Sequence, residues 1–221
     1  MAIRIYHGSE IIVRQPKFGV GRAYNDFGLG FYCTEYPESA AEWAVEYGRN
    51  GFVSSYSLET SGLVIINLCG PQYGTLHWIY MLLNYREFDV PAPLSQQARE
   101  YISRYFSVDY QGCDCIAGYR ADDACFAYAR DFLSGAISFQ VLDRYLRSSS
   151  MNREFVLKSN RAFDRVTYTG HEPALMNVSY PARAARELAA IKSMKPSAGR
   201  SELFITDLIR EEVKPYDPRL R

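Results

Sequence analysis

Residues 26–43, DFGLGFYCTEYPESAAEW, decide the fold of this chain. Gly28 and Gly30 allow a sharp turn, because glycine adopts backbone conformations that other residues avoid. The aromatic run that follows, 31–33, predicts a short buried strand. Pro37 is suited to the first turn of a helix. The stretch therefore predicts a turn, a strand and a helix in close succession.

The predicted helix runs from Pro37 to about Gly48. Its apolar residues recur at the spacing of one helical face: Ala40, Ala41, Trp43, Ala44 and Tyr47. We expect Tyr32 on the strand and Trp43 on the helix to face each other across a slot that fits one flat ring. Stacking against such a ring contributes about 0.5–1.5 kcal/mol per aromatic pair.

The composition is that of a folded globule without a dominant charge. The 221 residues are 48% hydrophobic, and 25 basic residues balance 25 acidic ones. This balance excludes a global basic field of the kind that drives non-specific nucleic-acid binding. No stretch approaches the roughly 20 apolar residues of a membrane span, and no leader opens the sequence. We therefore expect a cytoplasmic protein that does not contact a membrane.

The five cysteines favour a reduced protein without a metal. Their number is odd and most of them lie in apolar runs, which argues against a disulfide framework. Cys113 and Cys115 form a C-x-C pair, but a structural zinc site requires a second pair that is missing here. We expect all five to be core residues.

The order of the predicted elements favours an α+β fold. Strands are predicted at 3–9, 52–58, 63–68, 114–119, 154–158 and 166–169, of which 63–68 is expected to be deeply buried. Helices are predicted at 76–85, 95–106, 123–133, 138–146, 182–194 and 202–213. Strands at both ends with helices between them argue against a regular alternation of strand and helix. A doubly wound nucleotide-binding fold is disfavoured, because GLGFY lacks the G-x-G-x-x-G spacing.

The strand predicted at 154–158, EFVLK, begins with a carboxylate. Its alternation is expected to bury Phe155 and Leu157 on the face opposite Glu154 and Val156. A carboxylate at the mouth of a strand can reach into a cleft.

Two charged clusters have simple structural explanations. Asp122 and Asp123 are interpreted as caps of the helix that follows, rather than as a paired carboxylate site. A basic set near the C-terminus is interpreted as a solvated helix face, rather than as a nucleic-acid contact: Arg183, Arg186, Lys192, Lys195 and Arg200.

Three motifs give the chain a family resemblance: IYHGS at 5–9, GLGFYCT at 28–34 and NREFVLKS at 152–159. They resemble the poly(ADP-ribose) polymerase and diphtheria-toxin branch of the ADP-ribosyltransferases, whose signature is a His-Tyr-Glu triad spread over three strands. Among bacterial proteins, the likeness is to a stand-alone toxin-like family of formerly unknown function, often encoded beside a small antitoxin. The resemblance implies a split β-sandwich core with inserted and C-terminal helices.

The resemblance also implies an NAD site and a role for each residue in it. Glu154 is the catalytic carboxylate: it would bind the ribose 2′-hydroxyl, stabilise the oxocarbenium-like state and help to activate the acceptor. His7 would hold the adenine-side ribose, the Gly8 backbone would clamp the nicotinamide amide, and Ser9 would support the adenosine. The other predicted NAD contacts are Gly30, Phe31, Tyr32 and Trp43, with His7 and Tyr32 completing the catalytic triad.

Each candidate also has a structural explanation when it is considered alone. His7 is then interpreted as a structural histidine, and Glu154 as a solvated charge at a strand end. Tyr32 and Trp43 are then interpreted as core residues. Their order and spacing together favour the NAD site.

The expected function is a mono-ADP-ribosyltransferase that uses NAD as co-substrate, needs no metal and acts as a bacterial toxin. The neutral net charge favours a protein acceptor slightly over a nucleic acid, and a small antitoxin is an expected partner. Two alternatives remain: an NAD glycohydrolase toxin, and a catalytically silent module that binds NAD or ADP-ribose. The same fold also hosts a transferase that removes a 2′-phosphate from RNA, but that chemistry relies on arginines near the histidine that the sequence does not place.

The predicted domain organisation has two parts. Residues 1–170 form the catalytic domain, with a helical insertion at about 71–112. Residues 171–221 form a C-terminal helical extension.

Overall fold

A computed structural model describes residues 1–89, 93–121, 123–148, 153–193 and 202–220. In these ranges the strands are β1 (Ala2–Ser9), β2 (Phe31–Cys33), β3 (Gly51–Glu59), β4 (Ile65–Asn67), β5 (Cys115–Tyr119), β6 (Arg153–Leu157) and β7 (Val166–Ala174). The helices are α1 (Pro37–Ala44), α2 (Thr75–Tyr85), α3 (Leu94–Tyr105), α4 (Asp123–Leu133), α5 (Phe139–Arg147), α6 (Asn160–Phe163), α7 (Met176–Ser193) and α8 (Ile205–Arg210). The predicted α+β class is confirmed.

The strands form two sheets. The first has the order β1-β3-β7 and is antiparallel throughout. The second has the order β2-β6-β5-β4, in which only β4 and β5 are parallel. The two sheets meet where β1 and β2 form a bridge: Tyr6 and Thr34 exchange both backbone hydrogen bonds, at 2.7 and 2.9 Å.

Three apolar clusters stabilise this layered arrangement. The cluster between the two sheets includes Ile5, Phe31, Tyr56 and Phe155. A larger cluster fills the space between the other face of the second sheet and the helices α2, α3, α4, α5 and α8. A small cluster of alanine and valine side chains lies where α1 packs against β1 and β3. The second sheet is therefore covered on both faces.

Most of the predicted elements form, and Ser138 caps α5 as expected, since its Oγ accepts a hydrogen bond from Val141 N. Helix α1 is shorter than predicted and ends at Ala44, because Val45 turns into extended backbone. The predicted deep burial of 63–68 is wrong: β4 is the edge strand of its sheet, so only Ile66 of its three residues is buried. The predicted single buried face of β6 is also wrong, because one face packs between the two sheets and the other packs against the helices.

The C-terminal elements differ more from the prediction. Strand β7 continues to Ala174, past the predicted domain boundary at 170. Helix α7 begins at Met176 and contains Pro181, which near the helix start removes a single intrahelical hydrogen bond. Helix α8 spans six residues, fewer than predicted. Of the predicted charged clusters, Asp122, Lys195 and Arg200 lie outside the described residues.

Candidate functional site

The bridge between the two sheets brings His7 to Tyr32. His7 Nδ1 lies 2.7 Å from the Tyr32 carbonyl oxygen, and its ring lies 4.5 Å from the Phe31 ring. A carbonyl only accepts hydrogen bonds, so Nδ1 carries the proton and Nε2 is an acceptor. Burial lowers the pKa of His7 below its ordinary value, although the hydrogen bond to Tyr32 opposes the shift. His7 is therefore a neutral imidazole with a defined tautomer.

Tyr32 is fixed by the turn that precedes it. Its hydroxyl donates to the Gly28 carbonyl at 2.6 Å and accepts from the Phe27 amide at 3.0 Å. Burial, and then the nearby Glu154 charge, raise the pKa of Tyr32 well above its ordinary value. The phenol thus stays protonated and its ring has one orientation.

The turn itself is held by charged groups from distant parts of the chain. Lys158 donates to the carbonyls of Phe27 and Leu29, the latter at 2.7 Å. Asp26 accepts from Arg86 at 2.7 Å and from the Ala121 amide at 2.7 Å. Gly28 has φ +71°, and a β-carbon there would lie 2.4 Å from the Tyr85 ring. The turn is therefore rigid and allows only glycine at this position.

Glu154 is buried, with 5% of its surface exposed, which excludes the solvated strand-end charge. The next two residues of β6 are Phe155, which packs between the sheets, and Val156, which packs against the helices. Val156 is also the partner of Tyr32 in β2. Strands β2 and β6 are neighbours, so Tyr32 and Glu154 lie close together on one sheet.

These residues share an open cavity of about 330 Å³, which we call the triad cavity. Five of the predicted site residues line it: His7, Gly8, Tyr32, Trp43 and Glu154. The other predicted residues lie elsewhere. Phe31 packs between the sheets, a β-carbon on Gly30 would collide with Val156 and Leu157, and the Ser9 hydroxyl donates to the Ile11 carbonyl at 2.7 Å.

Sequence reasoning missed the other residues that line the triad cavity: Asn25, Asp26, Arg86, Arg120, Ala121 and Arg183. The Arg120 guanidinium lies 4.9 Å from the centre of the Trp43 ring, so a cation covers one face of the indole. The only sequence signal for Arg120 is its position directly after β5, beside the strand that carries Glu154.

Gly8 has a packing role in addition to its place in the cavity. A β-carbon there would lie 1.8 Å from the Ala40 carbonyl oxygen of α1. The absence of a side chain on Gly8 thus lets α1 lie directly on β1, and this close contact places Trp43 of α1 at the cavity. The sequence predicted the need for glycine but attributed it to the ligand alone.

Helix α7 reaches the triad cavity through an ion pair with α1. Arg186 Nη2 lies 2.5 Å from Glu42 Oε2, and Glu42 is only 3% exposed. This pairing brings Arg183, one helical turn earlier, to the cavity. The predicted solvated basic face is therefore wrong for Arg183 and Arg186. Lys192 also lies in α7.

Two other kinds of site have no candidate within the described residues. No group of three or more His, Cys, Asp or Glu side chains in those ranges is arranged to hold a metal ion. No helix in the part of the chain that the structure describes combines the length and apolarity needed to span a membrane.

The fold and site define an α+β protein with a partly buried histidine, a partly buried tyrosine and a buried glutamate around one cavity. By comparison with known proteins, the chain belongs to the family described as "Protein of unknown function (DUF3990)", whose match covers residues 3–168. Neither the curated proteins nor the solved structures include a match. The family match ends within β7, so α7 and α8 lie beyond it.

Proposed function

We propose that this protein is an NAD-dependent mono-ADP-ribosyltransferase that releases nicotinamide and transfers ADP-ribose to a macromolecule. The observation that carries the proposal is that His7, Tyr32, Trp43 and Glu154, from four different elements, line one cavity. Separate structural roles would not require these residues to meet. The motifs that resemble ADP-ribosyltransferases point to the same set.

The cavity offers groups that suit the parts of a dinucleotide. Arg86, Arg120 and Arg183 line the cavity, and guanidinium groups bind phosphate oxygens through paired hydrogen bonds. His7 Nε2 can accept a hydrogen bond from a ribose hydroxyl. Tyr32 and Trp43 add aromatic surface for a planar ring. A substrate with two phosphates, ribose hydroxyls and flat rings therefore matches the groups present.

Glu154 supplies the charge that the reaction requires. Breaking the bond between nicotinamide and the ribose anomeric carbon releases neutral nicotinamide and leaves positive charge on the sugar. A buried carboxylate close to that carbon stabilises the charge more strongly than one in water. The acceptor oxygen, nitrogen or sulfur then bonds to the anomeric carbon, and Glu154 receives the proton that the acceptor loses.

The test compares the wild-type protein with a Glu154→Gln variant. Purified protein is incubated with biotin-labelled NAD and a cell lysate, and each sample is then treated with protease or with nuclease. We expect labelled macromolecule from the wild type and a loss of about 10²–10³-fold in the variant. Glu172→Gln, an exposed carboxylate in β7, is the matched control and should leave labelling unchanged.

The pattern of label identifies the acceptor and separates the alternatives. Label that resists nuclease but not protease indicates a protein acceptor, and the reverse indicates a nucleic acid. Release of nicotinamide without labelled macromolecule supports an NAD glycohydrolase. A folded protein that neither labels nor releases nicotinamide would contradict the enzyme and support a silent binding module.

The proposed biological role is that of a toxin with a small antitoxin partner, and it rests on the family resemblance. Expression of the wild-type chain should arrest bacterial growth, whereas expression of Glu154→Gln should not. Equal toxicity of the two proteins would mean that growth arrest does not depend on the chemistry proposed for Glu154.

One observation supports a second candidate. Three arginines line the same cavity as His7, and arginines near the histidine are what removal of a 2′-phosphate from RNA would need. The sequence alone did not place them. NAD-dependent loss of phosphate from an oligonucleotide with an internal 2′-phosphate would favour this activity. No loss, together with labelled macromolecule, would favour the first proposal.

A further inference from the structure

A second and larger cavity, of about 600 Å³, lies at the start of α2. We call it the α2 cavity. Its walls are the loop 69–74, the first turn of α2, part of α5 and the segment from Pro215 to Leu220. A volume of this size falls within the range of small-ligand sites. The proposed function uses none of these residues.

One wall of the α2 cavity carries an oriented arginine. Asp143 accepts hydrogen bonds from the Thr75 hydroxyl at 2.5 Å and from Arg147 Nε at 2.8 and 2.9 Å. The carboxylate is thus engaged by α2 and by Arg147 together. Because the pair uses Nε, the terminal Nη groups of Arg147 remain as donors for a ligand. The Arg147 side chain is half exposed.

A buried histidine adds a second donor. His77 is 9% exposed, and its ring lies between the edges of Tyr73 and Phe106, at 5.2 and 5.4 Å. Its Nδ1 accepts a hydrogen bond from the Gly74 amide at 3.0 Å, so the neutral ring carries its proton on Nε2. No acceptor for this N–H lies among the described residues. This N–H is therefore available to a ligand that lies in the cavity.

The start of α2 contributes further donors to the same cavity. The amides of Thr75 and Leu76 have no acceptor within the helix, as in every first helical turn, and both residues line the cavity. The helix dipole favours negative charge at this end. Tyr73, Phe106, Phe139 and Tyr216 supply the apolar part of the wall. The polar groups are mostly donors, and the apolar ones are mostly flat rings.

We propose that the α2 cavity binds a nucleotide, with the phosphate on Arg147, His77 and the first turn of α2 and the base against the aromatic wall. The phosphate can belong to a free mononucleotide or to a nucleic-acid strand.

A third, smaller cavity has lining residues in common with both of the others. Its volume is about 60 Å³, and it shares Cys69 with the α2 cavity and Glu154 with the triad cavity. Arg153 also lines it. Nucleotide binding in the α2 cavity does not rest on the proposed function.

Binding is tested by isothermal titration calorimetry with the full chain and three probes: inorganic phosphate, AMP and a single-stranded RNA decamer. We expect AMP to bind more tightly than phosphate. Arg147→Gln should weaken binding at least about tenfold, and His77→Phe, which keeps the ring but removes the donor, should weaken it several-fold. Arg130→Gln, in an exposed ion pair on α4, is the matched control and should not change the affinity.

A further variant distinguishes the two cavities, since AMP also suits the triad cavity. Arg120→Gln should leave the Arg147-dependent binding unchanged. Binding that is lost in Arg120→Gln but retained in Arg147→Gln, or no binding of any probe, would overturn the proposal. Tighter binding of the decamer than of AMP identifies a strand as the ligand, and the opposite order identifies a free nucleotide. Nucleotide binding without NAD cleavage would contradict the proposed function while supporting this site.

Discussion

At the level of single residues, His7 couples the stability of the fold to its protonation. The folded protein keeps the ring neutral, since burial lowers its pKa, whereas the unfolded chain binds a proton near pH 6.5. The unfolded state therefore holds more protons as the pH falls below that value. Folding stability should decrease on acidification, by at most about 1.4 kcal/mol per pH unit for this group.

Chemical denaturation between pH 7.5 and pH 5 checks this expectation. The wild type should lose stability over the interval, and His7→Gln should lose less. His77 has the same sign of pKa shift and remains in both proteins, so only the difference between them reports His7. Identical pH dependence of the two proteins would contradict the assignment of a neutral, partly buried His7.

Gly8 gives a second prediction at the residue scale. Gly8→Ala places a methyl group 1.8 Å from the Ala40 carbonyl, a backbone atom that can move only with α1. The expected loss of stability is at or above about 3 kcal/mol, the upper end for ordinary overpacking. Ser9→Ala, the neighbouring change, should cost about 1 kcal/mol through its lost hydrogen bond. Thermal denaturation of both variants measures the two losses of stability.

Among the elements, α7 depends on one buried ion pair. Arg186→Met leaves Glu42 buried and charged beneath α7, which should cost about 3–5 kcal/mol. The double variant Glu42→Leu with Arg186→Met removes both charges and should recover most of that loss. Arg210→Met breaks an exposed pair on α8 and should change stability by less than about 1 kcal/mol.

The same helix offers a functional readout. If Arg183 binds the substrate, Arg186→Met should raise the KM for NAD, because α7 no longer holds Arg183 at the triad cavity. Glu172→Gln should leave KM unchanged. A stable Arg186→Met protein with the wild-type KM would limit α7 to a structural role.

Local sequence patterns predicted secondary-structure elements well where neighbouring residues alone determine the element. The alternation in β3, the Ser138 cap and the turn before β2 are examples, because each is determined by neighbouring residues. Edge and central strands could not be distinguished in this way. Strand β4 is apolar, but as an edge strand it buries only Ile66 of its three residues. Strand β6 alternates but is buried on both faces, because a separate apolar cluster covers each side of its sheet.

The candidate site was predictable only in part. His7, Tyr32, Trp43 and Glu154 lie in or beside recognisable motifs, and the structure brings them to one cavity. The cavity arginines lie after α2, after β5 and within α7, where local sequence shows only ordinary surface charge. Tertiary packing alone brings them together.

For the whole molecule, α8 and the residues that flank it belong to the main core. Leu203, Ile205, Leu208 and Val213 are buried in the cluster that covers the second sheet. Burial of such side chains contributes about 1.5–3 kcal/mol each, so together they approach the total stability of an ordinary domain. Residues 1–170 alone, the predicted catalytic domain, should therefore lack a cooperative unfolding transition.

Calorimetry of three chains tests this point: the full protein, residues 1–170, and a chain that lacks only 217–221. The first and third should unfold cooperatively. A cooperative transition in 1–170 would support the predicted domain boundary and make α7 and α8 an independent extension.

The pairing of Glu42 with Arg186 also has a consequence for synthesis. The two residues are 144 positions apart. At a translation rate of about 5–20 residues per second, roughly 7–30 s pass between the addition of Glu42 and that of Arg186. During that time the growing polypeptide cannot complete α7 or close the wall of the triad cavity. A nascent chain on the ribosome would thus lack the α7 contribution to the triad cavity until α7 has been translated.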